Sequence, residues 1–129
     1  KALRAKLYHT ALTLQQTYFG ETTGAAAAFE KMNEVINAFE QHGYHEDCIL
    51  MPAIQPFQSH TIASFEKDHV DDHKMGEDLK HLQHIYNAAQ TTTERIIAGS
   101  AITKSFVDYM IFNLQHMQRE EIELNKLAA

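Results

Sequence analysis

The chain has 129 residues, of which 44% are hydrophobic, with only 5 Gly and 2 Pro. This length suits one hydrophobic core, and the scarcity of turn-forming residues favours long helices over an all-β fold. The formal net charge of −6, from 17 acidic and 11 basic residues, argues against nucleic-acid binding, which needs clustered positive charge.

Cysteine usage and hydropathy bear on the location of the protein. Cys48 is the only cysteine, which rules out an internal disulfide and is typical of a reducing compartment. No apolar stretch reaches the roughly 18 residues that span a bilayer, and the first four residues lack the apolar run of a signal peptide. We therefore expect a cytoplasmic protein with no membrane or nucleic-acid partner.

Three breaks divide the chain into four predicted helices. Turn-forming residues cluster at 20–24, between Pro52 and Pro56, and at 90–93. The predicted helices lie at about 2–19 (A), 24–51 (B), 59–89 (C) and 94–127 (D). The expected fold is an all-α, antiparallel up-down-up-down four-helix bundle that forms one domain over residues 1–129. Because the sequence starts without Met and already in helical register, we expect this domain to be truncated at its N-terminus.

Two local signals mark helix ends. Thr91 precedes Glu94 by three residues, which is the capping-box arrangement that satisfies orphan amides at a helix N-terminus. Helix D is predicted to start there. Pro52 lacks a donor and its ring clashes with the preceding turn, so helix B is predicted to end or kink at this residue. Pro56 repeats the signal, and a loop is expected between helices B and C.

Histidine is unusually frequent, at nine of 129 residues, and several histidines extend apolar helical stripes. In helix B the spacing of three or four residues that carries Met32 and Phe39 continues to His42 and Glu46. The stripes of helices C and D also pass from apolar to polar residues. This pattern predicts polar side chains inside the bundle, rather than nine histidines scattered over its surface.

Residues i and i+4 of a helix point about 40° apart and can reach one common point. Three pairs of potential metal ligands have this spacing: His42 and Glu46, His69 and His73, and His116 and Glu120. In helix C the stripe can also run through Asp72 in place of His73. Helix A offers His9, which would reach the interior from the fourth side.

The seven candidates combine imidazole and carboxylate groups without thiolate, a donor set that suits iron, manganese or zinc. Burying them without a metal would leave ionised groups in an apolar core, at a cost of roughly several kcal/mol. Zinc usually closes with four ligands, so this larger set with two carboxylates favours a pair of iron ions. Positions left unfilled could take a small ligand. The competing interpretation is a structural bundle whose histidines hold no metal.

Other polar residues near these pairs are interpreted as lying outside the metal site. The predicted non-ligands are His45, His60, His81 and His84, with Cys48 as an inert thiol. One acidic residue could accept an imidazole N–H and orient a ligand. The candidates, which spacing does not distinguish, are Asp47, Asp68, Asp71 and Asp72.

These residues resemble the haemerythrin-like (HHE cation-binding) family over the whole chain. The resemblance rests on His9 alone on helix A, His42-x-x-x-Glu46 on B, His69-x-x-x-His73 on C and His116-x-x-x-Glu120 on D. The segments 46–52 and 116–121 are also similar to the family's motifs on helices B and D. The resemblance implies an antiparallel bundle around two non-haem iron ions with an oxo or hydroxo bridge, held by histidines and two bridging carboxylates.

Two features of the resemblance bear on the ligand set. His73 beside His69 is similar to the five-histidine oxygen carriers, whereas many other members supply a single histidine on this helix. The oxygen carriers use His-x-x-x-x-Asp on helix D, and here both Glu120 and Glu121 follow His116. We favour Glu120 as the bridge because it lies about 40° from His116, against about 140° for Glu121.

The resemblance implies O2 binding for storage, delivery or sensing, with nitric oxide as an alternative diatomic ligand. A response to iron, nitric oxide or oxidative stress is a second interpretation, and a redox-active di-iron enzyme is a third. Catalysis is the weaker expectation because di-iron oxidases and oxygenases usually present more carboxylates and fewer histidines. The sequence does not indicate an oligomeric state.

Overall fold

The computed structural model describes the backbone of residues 2–54 and 59–128, and the side chains of 2–53 and 60–126. Within these ranges the chain forms helices and no strand. The helices are α1 (Ala2–Gln16), α2 (Thr22–His45), α3 (Met51–Ile54), α4 (Ser59–Ala88) and α5 (Thr92–Ala128), with a π-helical segment, Glu46–Leu50, between α2 and α3. The predicted loop around Pro56 lies outside the described residues.

The segment from α2 to α3 is one continuous helical rod. His45 and Met51, which flank the π-helical segment, both keep right-handed helical dihedral angles. The described residues therefore form four long rods, and the predicted all-α four-helix bundle is confirmed. Helix A is shorter than predicted, because α1 ends at Gln16, and the second rod begins at Thr22, two residues before its predicted start.

Pro52 does not end the second rod, which continues to Ile54. Just before it, the amide of Met51 donates to the carbonyl of Glu46, five residues back, as a π-helical turn requires. This wider turn relieves the clash between the ring of Pro52 and the preceding turn, so the rod continues although Pro52 lacks an amide hydrogen. The expected proline effect is thus a local widening of the helix at Glu46 instead of a break.

Hydrogen bonds confirm the capping box at the start of α5. The amide of Glu94 donates to the Thr91 hydroxyl, and the amide of Thr91 donates to the Glu94 carboxylate, both at 3.1 Å. The two side chains therefore satisfy each other's backbone amides. The start of α5 was predictable because the two residues of its capping box are only three positions apart in the sequence.

The rods pack as an antiparallel bundle in which α1 and α4 each contact both α2 and α5. Asn33 of α2 exchanges side-chain hydrogen bonds with Gln83, near the end of α4. Farther along the same rod, Asp47 of the π-helical segment pairs with His69, which lies nearer the start of α4. The two rods therefore run in opposite directions, and the C-terminal end of α2 faces the first half of α4.

Aromatic side chains close the end of the bundle opposite the polar cluster described below. Phe19, Phe29 and Tyr86 pack with ring centroids 5.0 to 6.1 Å apart. The hydroxyl of Tyr86 donates to the carbonyl of Phe19 at 2.6 Å, and Arg95 donates to the carbonyl of Gly20 at 3.0 Å. These bonds fasten the α1 to α2 connection to α4 and α5, which fixes how the rods align along the bundle axis.

The large apolar side chains with the least exposure lie along the centre of the bundle, where apolar burial stabilises the fold. They include Leu7, Leu14, Met32, Ile36, Phe65, Leu79, Ile102, Phe106 and Tyr109. Among the helices described, none combines the length and apolar character needed to cross a membrane. The apolar stripes instead pack against one another and lead into a polar layer at one end of the bundle.

Candidate metal centre

A layer of acidic and imidazole side chains is buried where the stripes of α2, α4 and α5 turn polar. The most buried members and their exposed fractions are Glu46 4%, His116 5%, Glu120 5% and Asp68 8%. Burying so many ionisable groups is costly unless they pair or bind a cation. This layer is therefore the candidate functional site of the bundle.

Glu46 lies at the centre of the layer and contacts histidines through both of its carboxylate oxygens. Its Oε2 is 3.0 Å from Nε2 of His42, one helical turn earlier. Its Oε1 is 2.8 Å from Nε2 of His69 on α4. One carboxylate thus faces two separate imidazoles from two different rods.

His116 and Glu120 of α5 complete the layer. Nε2 of His116 is 3.2 Å from Oε1 of Glu120 and 3.9 Å from Oε1 of Glu46. One ligand atom from each of Glu46, His69, His116 and Glu120 lies within 4.8 Å of the other three. His42 joins this group through Glu46, so three rods supply five potential ligands, which we call the core cluster.

Two aspartates lie behind the imidazoles and fix their orientation. Nδ1 of His69 donates to Asp47 at 2.7 Å, and Nδ1 of His116 donates to Asp68 at 2.8 Å. Asp68 also accepts from Arg119. A carboxylate on Nδ1 directs Nε2 at the metal and raises the basicity of the ring, as in many metal sites. The sequence left the orienting acid open among four residues, and the structure selects these two.

The charges of the core cluster shift the pKa values of its members strongly. Burial opposes the ionisation of Glu46, but the adjacent imidazoles of His116, His42 and His69 outweigh it and hold the pKa of this carboxyl below its usual range. Burial raises the pKa of Glu120 above its usual range. Two carboxyls in one layer are therefore driven in opposite directions.

The histidines respond to the same carboxylates. Burial lowers the pKa of His116, yet the neighbouring carboxylates of Glu120 and Glu46 raise it to about 10. The pKa of His69 is also raised, because its bonds to Glu46 and Asp47 outweigh burial. The hydrogen bond to Glu46 raises the pKa of His42. The carboxylates therefore favour the protonated form of all three imidazoles.

Two buried atoms of the core cluster lack hydrogen-bond partners among the described residues: Nε2 of His116 and Oε2 of Glu120. Buried polar atoms are nearly always paired in proteins, so each such atom needs an explanation. Both atoms face the cluster and both are metal-ligand types. The donor set, the orienting aspartates and these two atoms all fit a bound transition metal.

A small cavity of about 10 Å³ adjoins the ligands, and its wall includes His42, Glu46, His69 and His116. Phe39 and Met117 contribute apolar surface to the same wall. The ring of Phe65 meets His116 edge-on, with centroids 5.7 Å apart. A space of this volume holds about one water molecule, so it can admit only a small ligand.

The structure brings five of the seven predicted ligands together: His42, Glu46, His69, His116 and Glu120. On α5 the side chain that faces the layer is Glu120, whereas Glu121 is exposed and pairs with Arg4. The angular offset from His116 therefore distinguished the two glutamates. On α4 the half-buried residue next along the stripe is Asp72, whose carboxylate accepts from Asn113 at 2.6 Å.

His9 does not lie in the core cluster. It is exposed, and its Nε2 is 2.7 Å from Nζ of Lys31. Lys31 precedes His42 by eleven residues on α2, which is about 16 Å along a helix at 1.5 Å per residue. Because α1 packs beside α2, His9 is at the wrong depth in the bundle to reach the ligands. Periodicity placed His9 on a helix but contained no information about this axial offset.

His73 is also outside the core cluster. Its side chain is 65% exposed, and Nδ1 lies 3.2 Å from Oε1 of Glu40 on α2. The 40° offset from His69 is enough to turn His73 towards the surface while Asp72 turns inward. The five-histidine arrangement expected from the sequence is therefore not assembled in this structure.

The π-helical segment explains how the second rod serves the site. Glu46 begins this segment, and its amide donates to the carbonyls of both His42 and Gly43. The wider turn that follows lets the buried Glu46 and the neighbouring Asp47 both face α4, where they contact opposite nitrogens of His69. Such π-helical turns occur frequently at functional sites.

Fold and site together define a four-helix bundle with a buried cluster of histidines and carboxylates able to hold a cation. The family model for the hemerythrin HHE cation binding domain matches residues 3–128. The chain therefore belongs to the hemerythrin HHE cation-binding family, as its histidine and glutamate motifs indicated. No curated protein and no solved structure gives a significant match to it.

Proposed function

We propose that the core cluster holds two iron ions and that the protein binds O2 at this centre for storage, delivery or sensing. The observation that carries the proposal is the position of Glu46, whose two carboxylate oxygens face different histidines at 3.0 and 2.8 Å. A carboxylate in this position can bridge two cations, one beside His42 and one beside His69. Bridging carboxylates between helices are the usual way a bundle holds a metal pair.

The other potential ligands lie close to the carboxylate of Glu46. Nε2 of His116 lies 3.9 Å from Oε1 of Glu46, the oxygen that also faces His69, and Glu120 lies 3.2 Å from the same nitrogen of His116. Oε2 of Glu120 is buried and lacks a hydrogen-bond partner among the described residues, so it is available as a second bridging atom. Iron in such a mixed site supplies reversible redox chemistry and affinity for diatomic ligands. Five ligands are fewer than two six-coordinate ions can take, which leaves positions for an exogenous ligand.

The surrounding residues would control what reaches the iron. The small cavity beside the ligands has space for about one water molecule, which excludes all but the smallest ligands. Phe39, Phe65 and Met117 place apolar surface against the cluster. This surface limits the entry of water and anions, which would otherwise shorten the lifetime of an oxygen complex.

A second candidate function is a response to nitric oxide, oxidative stress or iron. The position of His73 favours it, because without this residue the cluster has three histidines and two glutamates. That set resembles the family members with a single histidine on this helix more than the five-histidine oxygen carriers. We keep redox catalysis as the weakest alternative, and propose the cytoplasm as the location.

One experiment tests the proposal and separates the candidates. The protein is loaded with iron, reduced anaerobically and exposed to air, while optical absorption and iron content are followed. Two irons per chain with a colour change that reverses on removal of O2 would support an oxygen carrier or sensor. Irreversible oxidation by O2, with a stable complex formed under nitric oxide, would support the second candidate. One zinc per chain in protein from iron-supplied cells would overturn the di-iron proposal.

A further inference from the structure

A second group of potential metal ligands lies on the surface between α2 and α4. Glu40, His73 and Glu77 each offer one ligand atom within 4.8 Å of the other two. His73 and Glu77 are four residues apart on α4, which repeats the His-x-x-x-Glu spacing of the two pairs in the core cluster. Glu40 comes from the facing rod, so the three ligands converge from two directions.

The contacts within this group indicate a place for a cation. Nδ1 of His73 is 3.2 Å from Oε1 of Glu40, an atom that is buried and lacks a hydrogen-bond partner among the described residues. Nζ of Lys80 lies 3.9 Å from Oε1 of Glu40 and 3.4 Å from Oε2 of Glu77. An ammonium group thus approaches both carboxylates, as a cation attracted by two negative charges does.

Two members of the group, Glu40 and His73, line a groove that shares wall residues with the small cavity at the core cluster. The groove encloses about 220 Å³, and its wall includes Glu40, Asp47, Asp72 and His73. His69 also lines this groove, and it borders the small cavity at the core ligands as well. Carboxylates along a confined groove raise the local concentration of cations. Gly43 also borders both spaces and presents no side chain to either of them.

We propose that Glu40, His73 and Glu77 form a surface site for a divalent transition-metal ion, which captures the ion before it passes along the groove to the core cluster. Three ligands of mixed nitrogen and oxygen type leave positions for water, so the ion is held without being enclosed. Lys80 occupies the space between the carboxylates and swings outward when the metal binds. The delivery role rests on the proposed function of the core cluster, whereas the surface site does not.

The surface site is tested by zinc binding to protein whose core cluster is already loaded with iron. Wild type should bind one further zinc ion, and His73→Asn or Glu77→Gln should weaken this binding by about tenfold or more. His84→Asn and Asp78→Asn are matched controls on the same helix and should leave it unchanged. Lys80→Gln should strengthen the binding several-fold, because it removes the competing ammonium group. Unchanged zinc affinity in both the His73 and Glu77 variants would overturn the proposal.

Delivery is tested by the rate at which metal-free protein takes up Fe2+ under anaerobic conditions. His73→Asn should load more slowly than wild type and reach the same final iron content, and Asp78→Asn should load at the wild-type rate. Equal loading rates in wild type and His73→Asn would overturn the delivery role. A wild type that binds zinc at the surface but retains no iron in the core would instead contradict the proposed function.

Discussion

The carboxylate of Asp68 accepts a hydrogen bond from Nδ1 of His116 at 2.8 Å, and both residues are buried. Because Nδ1 donates to Asp68, Nε2 is the nitrogen that faces Glu46 and Glu120. Asp68 is itself held by Arg119 from the following turn of α5. The orientation of the ligand thus depends on a residue that does not contact the metal position.

We expect Asp68→Asn to lower metal affinity by about 10- to 100-fold, because a neutral amide accepts from Nδ1 of His116 more weakly than a carboxylate and no longer raises the basicity of the ring. Metal affinity would be measured by competition with a chelator. The matched control is Asp71→Asn on the same helix, which removes an ion pair with Lys67 near the surface. Asp71→Asn should leave affinity unchanged and alter stability by less than about 1 kcal/mol. Equal affinity losses in the two variants would contradict an orienting role for Asp68.

Replacement of Glu46 or Glu120 by Ala should remove more metal than replacement of His60 or His84. Glu46 contacts His42 and His69, and its loss would leave these imidazoles without a shared carboxylate. His60 and His84 are exposed on α4. Metal content after purification and dialysis measures the effect. Similar losses at all four positions would mean that the helix faces have been assigned wrongly.

The positions of His9 and His73 predict that neither residue is needed for the equilibrium occupancy of the core cluster. His9→Ala and His73→Ala should retain the iron content of wild type, whereas His42→Ala should lose iron, because His42 contacts Glu46 directly. Iron quantitation and the optical spectrum of the loaded protein report the result. A shorter lifetime of the oxygen complex in His73→Ala would instead support the five-histidine ligand set expected from the sequence.

The pKa shifts predict how the stability of the metal-free protein varies with pH. The pKa of His116 is raised from 6.5 to about 10, so its pairing stabilises the fold fully below pH 6.5 and less as pH rises towards 10. The pKa of Glu46 is lowered from 4.5, so its contribution is present above pH 4.5 and is lost as pH falls further. In urea unfolding of chelator-treated protein, the combined contribution of His116 and Glu46 to the free energy of unfolding should therefore be at its maximum between pH 4.5 and 6.5.

Metal binding should reverse the alkaline part of this dependence. Ligation requires a deprotonated nitrogen, so the extra stability conferred by added metal should grow as pH rises from about 6 to about 9. His116→Gln is the control, and its metal-free form should lose less stability on the alkaline side. A metal-free wild type whose unfolding free energy rises steadily over that range would contradict the assignment of the raised pKa to His116.

Thr91→Ala should destabilise the fold by about 1 kcal/mol, because it removes the hydroxyl that accepts from the amide of Glu94. Thermal or urea unfolding measures the change. Thr93→Ala, two residues later and exposed, is the control and should alter stability by no more than about 0.5 kcal/mol. Equal effects of the two substitutions would show that the capping box does not stabilise α5.

Features that depend on near neighbours in the chain were predictable from the sequence. The spacing of apolar residues indicated four long helices, and the threonine and glutamate at the start of α5 indicated its cap. The pairs His42 with Glu46 and His116 with Glu120 each share a helix face because residues four apart differ by about 40° in direction. The same angular argument distinguished Glu120 from Glu121. These relationships hold within one helix, whatever that helix packs against.

The relations between helices were decided only by the tertiary structure. Residues on one helix say nothing about how far it slides along its neighbour, and this axial offset keeps His9 beside Lys31 and away from His42. The rotation of α4 about its own axis is set by packing on α2 and α5, and it turns His73 outward to Glu40. The partners Asp47 and Asp68 likewise depend on which faces meet. Spacing along the chain determines direction within a helix, whereas side-chain packing across the bundle determines which of those directions converge.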